Sequence, residues 1–434
     1  MLIRQAHLLD GRIADIRTGP AITQIAAGLA PMPGERVIDA AGGAVIPGLH
    51  DHHLHIYSAA AAADSVRVGI AEVHDRADLA RILAATSVGS DGWIRAVGYH
   101  EAAAGPLNRT VLDDISPPVP VRVQHRSGVL WILNSAGLDA VGLSGHPDGR
   151  LRSADRSWSD ALQRRHTALD GLSRRLSALG VTGITDATPD LDIVDIVELE
   201  ETHRHGDLRQ AVHHLAPGKR ILHDDSLDLA ELATFIERCH HDDVPVALHC
   251  VTAAQLVVSI AALRMVGSHP GDRIEHAAVV PDDCIAELAD LPVTVVTQPN
   301  FVSERGDQYL VDVPAEEQHE LWRVRSLLRA GVPVALSTDA PFGGADPWAA
   351  MRAAVHRRTA SGAVLGAAER IEARRALELF LGTATAPADV RTVDPGQPGD
   401  LCVLDAPPER VLAELDGRSV VATVIGGELA YRRP

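Results

Sequence analysis

The sequence predicts an α/β fold. Its centre reads as a (β/α)8 TIM-like barrel, with a small β-sandwich built from both termini and a lobe inserted after the first barrel strand. Three observations predict it. Between residues 47 and 389, short apolar runs alternate with stretches of helical periodicity, the pattern of a parallel sheet covered by helices. The two ends, residues 1–46 and 390–434, carry brief alternating strands punctuated by Gly. Histidines and an aspartate recur where apolar runs end, and barrels of this kind carry their chemistry at the C-terminal ends of their strands.

The elements follow in order. LIRQAHLLDG, IADIRTG, ITQIAAG and ERVIDAAGGAV form the N-terminal β layer, and GDLCVLDAP with VVATVIGGELAYRR adds the C-terminal part. Candidate barrel strands are Ala44–His50, Val181–Thr185, Leu208–His214, Lys219–Leu222, Val244–His249, Arg273–His276, Val293–Gln298 and Val332–Thr338. Helical periodicity is clear over Leu229–Cys239, Ala253–Met265 and Glu316–Ala330. The third and fourth strands are joined by too few residues for a crossover helix, so the barrel is expected to be irregular there. Residues 59–165 are too long for a loop, and their own patterns, WIRAVGYHE and PVRVQHRSGVLWILNSAGL, mark the inserted lobe.

The chain has 434 residues, 46% hydrophobic but only 3% aromatic, so its core must be built from Ala, Val, Leu and Ile. A net charge of −18 argues against nucleic acid or an anionic membrane as partner. The longest uncharged run, Val244–Leu263, is interrupted by His249 and polar residues, which excludes it as a membrane span. MLIRQAHLLDGR lacks the basic-then-apolar pattern of a secretory leader. Cys239, Cys250, Cys284 and Cys402 form no CxxC pair; reduced thiols in a cytoplasmic protein are the expectation. Of 40 basic residues, 39 are Arg and one is Lys219, and the sole survivor of such a bias is a candidate for chemistry that arginine cannot perform.

The strongest chemical signal is PGLHDHHLH at residues 47–55. On a strand, side chains two apart share a face, so Asp51, His53 and His55 project together. Two imidazoles at the end of a first barrel strand make a metal chelate. PVALHC places His249, and RIEHAAVV places His276, at the ends of later strands, while PVALSTDAPFGG ends the eighth in Asp339. Four histidines and an aspartate can bind one or two divalent ions. Two dications about 4 Å apart need an anionic bridge, and a lysine supplies one only after reacting with CO2 to give a carbamate. Lys219, in APGKRIL, opens the fourth candidate strand.

These stretches, with LGVTGITDAT, DRIEHAAVVPDD, VTVVTQPNF, DPW and PGQPGDLCVLD, resemble the amidohydrolase superfamily over nearly the whole chain, specifically its amidohydrolase-3 branch, which includes proteins like N-substituted formamide deformylase. The resemblance implies that His53 and His55 hold one metal, that His249 and His276 hold the other, and that a carboxylated Lys219 bridges them. Asp339 would ligate the first metal and shuttle protons. The lobe motif departs from the family at Val129, where His is frequent, and HDDS follows the Lys219 strand in place of the usual Asp-Gly.

The expected activity is metal-dependent hydrolysis of a C–N bond in an amide, formamide, N-acyl or cyclic amide, by a metal-activated hydroxide, with Asp339 moving the proton. Tyr99, His100, Trp131 and Asn134 in the lobe, with Gln298 and Arg305, are the candidates to line the substrate pocket. Ester or lactone hydrolysis would use the same centre, and a non-catalytic binding barrel is the reading from another class. Zinc is the expected ion, with iron, manganese and cobalt compatible with the same donors. The expected partner is a small-molecule substrate, and self-association is compatible with the sequence.

Overall fold

The computed structural model describes residues 1–153, 158, 162, 168–189 and 191–434. They divide into two compact units, Met1–Ile56 with Leu169–Pro434, and Tyr57–Ala168. Among the described residues no helix is long and apolar enough to cross a membrane.

The first unit is built around eight strands: β1 (Leu49–Leu54), β2 (Val181–Asp186), β3 (Ala211–His214), β4 (Lys219–Ile221), β5 (Ala247–Cys250), β6 (Arg273–His276), β7 (Thr294–Thr297) and β8 (Val334–Leu336). All pairings are parallel, in a three-stranded sheet ordered β3-β2-β1 and a five-stranded sheet ordered β4 through β8. The ladder breaks between His214 and Lys219, where the short connection carries no helix. Past the ends of β8 and β1, the Asp339 amide donates to the His53 carbonyl at 2.9 Å, and the His55 amide donates to the Ala340 carbonyl at 2.8 Å.

Helices Leu229–His241 and Ala253–Val266 lie where the apolar period placed them. Asp228 and Thr252 cap their first turns, and Leu232, Ile236, Leu256, Ile260 and Leu263 face inward. Two expected elements differ. The first candidate strand divides at Gly48: Val45–Pro47 pairs with Leu401–Leu404, and β1 resumes at Leu49. A Cβ on Gly48 would lie 2.2 Å from the Thr182 side chain, so the close approach there requires glycine. The expected helix Glu316–Ala330 is a 3-10 turn, Gln318–Glu320, followed by a shorter helix, Val324–Arg329. It breaks at Trp322, whose φ is 54°. Leu321, Trp322 and Val324 are all buried, so the apolar spacing there reports packing rather than a continuous helix.

The terminal segments form two four-stranded sheets. One runs in the order Ile22–Ala26, Ile13–Thr18, Leu2–His7, Val37–Asp39; the other runs Glu428–Arg432, Val420–Ile425, Leu401–Leu404, Val45–Pro47. Ile3, Ile16 and Ile38 from the first join Val45, Val403 and Val424 from the second in one apolar cluster. The second unit has its own five-stranded sheet, Arg150–Arg152, Leu130–Leu133, Val121–His125, Ile94–Tyr99 and Val66–Arg67, over a core that includes Leu79, Leu83, Leu112 and Val123.

Candidate metal centre

Strict alternation along β1 would set Asp51, His53 and His55 on one side. The register departs from it: the three steps from Asp51 to Leu54 oppose the two steps from Ile184 to Asp186, a bulge that re-aims side chains. His53 and His55 converge all the same, while Asp51 turns to the eighth strand and accepts the amide (3.0 Å) and hydroxyl (2.5 Å) of Thr338. Burial pushes the Asp51 carboxyl up to about 7, against these hydrogen bonds.

Asp339 follows β8 with φ 55°. Its Oδ1 lies 3.6 Å from Nε2 of His53 and 3.5 Å from Nε2 of His55, and one ligand atom from each of the three falls within 4.8 Å of the others. His276 ends β6 with φ 70°, and its Nδ1 lies 4.0 Å from Asp339 Oδ2. The His276 ring sits 4.7 Å from that of His53 and 4.5 Å from that of His249. Lys219, at the start of β4, is buried.

The electrostatics keep these groups uncharged or poised. Burial, with Lys219 close by, holds His53 far below the ordinary imidazole value and brings His249 down to about 3. Burial likewise lowers His276, and the neighbouring His249 adds to the effect. Burial brings the Lys219 ammonium down to about 8, against the pull of Glu275 and Asp339. Neutral imidazoles are the form that ligates metal.

His53 Nε2, Asp339 Oδ1 and Lys219 Nζ are buried without a hydrogen-bond partner. Orphaned buried polar atoms are rare in folded proteins and each needs an explanation. His53 Nε2 and Asp339 Oδ1, with the His55 imidazole within 4.8 Å of both, suit a divalent cation in donor type.

Sequence reasoning did not find Glu275 and Arg273. Glu275 Oε2 accepts from His53 Nδ1, and Arg273 donates to both Glu275 oxygens. The available signal was the carboxylate one residue before His276 in RIEH. Gln298 is tied to His276 Nδ1 at 2.9 Å. Arg305 donates to the Phe342 carbonyl, and its guanidinium lies 4.1 Å from the centre of the Phe301 ring, while the Phe342 ring meets that of His55 edge-on.

The remaining pocket candidates lie in the second unit. Tyr99 donates its hydroxyl to the Gly105 carbonyl, and Asn134 caps the turn at Gly137 while bonding Val121 and Val119. Trp131 packs against Trp158, with Arg95 and Arg122 over its ring. His100, Glu101 and His125 also approach one another there. The Nδ1 atoms of both imidazoles accept backbone amides, from Ala102 and Ser127. That places the neutral proton on Nε2, and His125 Nε2 meets Glu101 at 3.1 Å. His125 and Glu101 are thus joined by a hydrogen bond.

Known proteins resemble this chain over nearly its whole length. The model of the amidohydrolase family matches residues 36–431. An N-substituted formamide deformylase from Arthrobacter pascens is 26% identical, over 99% of this chain and 95% of its own. Among solved structures, uncharacterized metal-dependent hydrolases from Pyrococcus furiosus and Pyrococcus horikoshii OT3 superpose with TM-scores of 0.71 and 0.73, each at 19% identity. Each alignment covers 94% of this chain, with 99% and 97% of the respective partner. At that identity the likeness is one of fold.

Proposed function

The chain belongs to the amidohydrolase family, and from that premise we propose that it is a metal-dependent hydrolase of carbon–nitrogen bonds other than peptide bonds. The observation that carries the reading is the convergence of His53, His55 and Asp339. His53, His55 and Asp339 would hold one divalent ion, and His249 and His276 a second. Lys219 would stand between them as a carbamate, since an amine lowered to about 8 is partly neutral near physiological pH and so can react with CO2. A bound divalent ion supplies a polarised carbonyl oxygen and a water whose pKa is drawn towards neutrality. Asp339, within reach of both His53 and His55, takes the proton of the attacking water and delivers it to the departing nitrogen.

The similarity to a formamide deformylase favours a formamide or small N-acyl substrate over larger cyclic amides. Arg305 borders the His55 side through Phe342, and Gln298 borders His276. Tyr99, His100, Trp131 and Asn134 of the inserted lobe are the further residues we assign to substrate binding. Zinc is the ion we assign, and the cytoplasm the compartment. We read the eight strands as one barrel over residues 47–389, joined at His53 and Asp339 and gapped before Lys219. In the same reading, residues 59–165 form an inserted lobe, and residues 1–46 with 390–434 form a terminal sandwich.

Metal content per chain, measured by plasma mass spectrometry on protein purified without chelators or a histidine tag, tests this reading, followed by matched N-formyl amines and formate esters. Bound metal with turnover of the formamide is expected. Turnover of the ester alone would replace it with an esterase, and absence of metal even after titration would leave a binding protein.

A further inference from the structure

Two of the imidazoles around Asp339, those of His53 and His276, are held by partners of different charge. His53 Nδ1 meets Glu275 Oε2. Arg273 fixes that carboxylate through Nε to Oε1 at 2.6 Å and Nη2 to Oε2 at 3.2 Å, and its Nη2 also donates to the His52 carbonyl at 2.6 Å. Arg273, Glu275 and His53 are all buried. His276 Nδ1 meets Gln298 Oε1 at 2.9 Å. The Gln298 amide nitrogen is committed to Ser337 Oγ at 2.9 Å and the Val296 carbonyl at 3.4 Å, which fixes the orientation of its oxygen. A carboxylate and an amide oxygen are both acceptors, so each imidazole carries its proton on Nδ1 and presents an unprotonated Nε2.

The difference lies in strength. A hydrogen bond to an ionised carboxylate is roughly twice as strong as one to a neutral amide, and it raises the basicity of the imidazole it holds. We propose that Glu275 and Gln298 are positioning residues that grade the two histidines. Glu275 makes His53 the stronger donor and Gln298 leaves His276 the weaker one, so an ion on the His53 side is retained at chelator concentrations that strip the His276 side. The inference rests on the metal-centre reading given under Proposed function.

The test is zinc titration into metal-stripped full-length protein against a chromophoric chelator, for the wild type, Glu275→Gln and Gln298→Glu, with thermal melts of each. Two unequal binding events are expected in the wild type. Glu275→Gln should weaken the tighter one by about 10- to 100-fold and spare the other, whereas Gln298→Glu should tighten the weaker event. A misfolded variant cannot gain affinity, so the second substitution keeps the test sound if the first destabilises the fold. Equal wild-type constants, or a Glu275→Gln protein that melts like the wild type and keeps its affinities, would overturn the grading while leaving the hydrolase reading intact. Wild-type protein that takes up no zinc at all would overturn the hydrolase reading itself.

Discussion

Asp51 binds Thr338 twice, through its amide and its hydroxyl, and so ties the first strand to the eighth, two residues from His53 and one from Asp339. Thr338→Val removes the hydroxyl and leaves one buried oxygen of Asp51 without its partner. A loss of about 1–3 kcal/mol in stability is expected, read by urea denaturation, together with weaker metal retention. Unchanged metal content at reduced stability would confine the link to folding.

Asp339 carries the proton in the proposed reaction. Asp339→Asn keeps an oxygen for the ion and removes the base. A fall in kcat of about 10²- to 10⁴-fold is expected, with metal still present by mass spectrometry. Full activity would remove Asp339 from the chemistry.

Lys219→Arg preserves charge and forbids a carbamate. Metal content should fall and activity should be lost, and added bicarbonate should restore neither. Lys219→Ala, with a small carboxylate such as formate added to fill the space, should recover part of both. An arginine variant with full metal content would exclude the bridging role.

Histidines outside the metal centre, His50 buried and His213 half-buried, make the fold sensitive to acid. Burial, aided by Arg273 and His214, lowers His213 from 6.5 to about 4, and burial with Arg391 nearby holds His50 well below its ordinary value. Below pH 6.5 the unfolded chain takes up protons that the native state refuses. Stability is therefore full above pH 6.5 and is lost as the pH falls towards 4, by at most about 1.4 kcal/mol per pH unit for each group. In metal-stripped protein, urea melts at pH 7.5, 6 and 5 should show this slope, and His213→Gln should make it shallower. A slope unchanged in the variant would show that His213 is protonated equally in both states.

Arg357 is fully buried, and its guanidinium donates to the carbonyls of Leu365 (2.9 Å), Trp322 (2.8 Å) and Leu321 (2.9 Å). Arg357→Met should cost at least about 3 kcal/mol, since the carbonyls it leaves are cut off from water. A fall in Tm with unchanged KM in the surviving folded fraction is expected. A Tm equal to that of the wild type would show that the segment around Trp322 repacks without it.

The strands and the histidines at their ends were legible because burial imposes a period of two on a strand, and because functional groups gather where barrel strands end. Lys219 stood out by composition. Glu275 did not, for a local reason. On a regular strand Glu275 and His276 would face opposite sides, and only the positive φ values at His276 (70°) and Ala277 (46°) break that rule. Gln298 was legible as a polar group at a strand end, but its bond to His276 depends on a register between neighbouring strands that no local pattern encodes. Trp322 misled the helix assignment because two carbonyl contacts from distant Arg357, to Leu321 and Trp322, hold a bend that the apolar spacing passes straight through.

The chain contains a single lysine, and it is buried. Protein grown on lysine labelled at Nζ alone would therefore give one side-chain nitrogen resonance, and that resonance would come from the proposed centre. Amine-directed surface reagents would find only the α-amino group of the native protein, and a lysine-specific protease would cut the unfolded chain into two pieces while sparing the folded one. The state of this nitrogen can be followed by magnetic resonance without labelling the rest of the molecule.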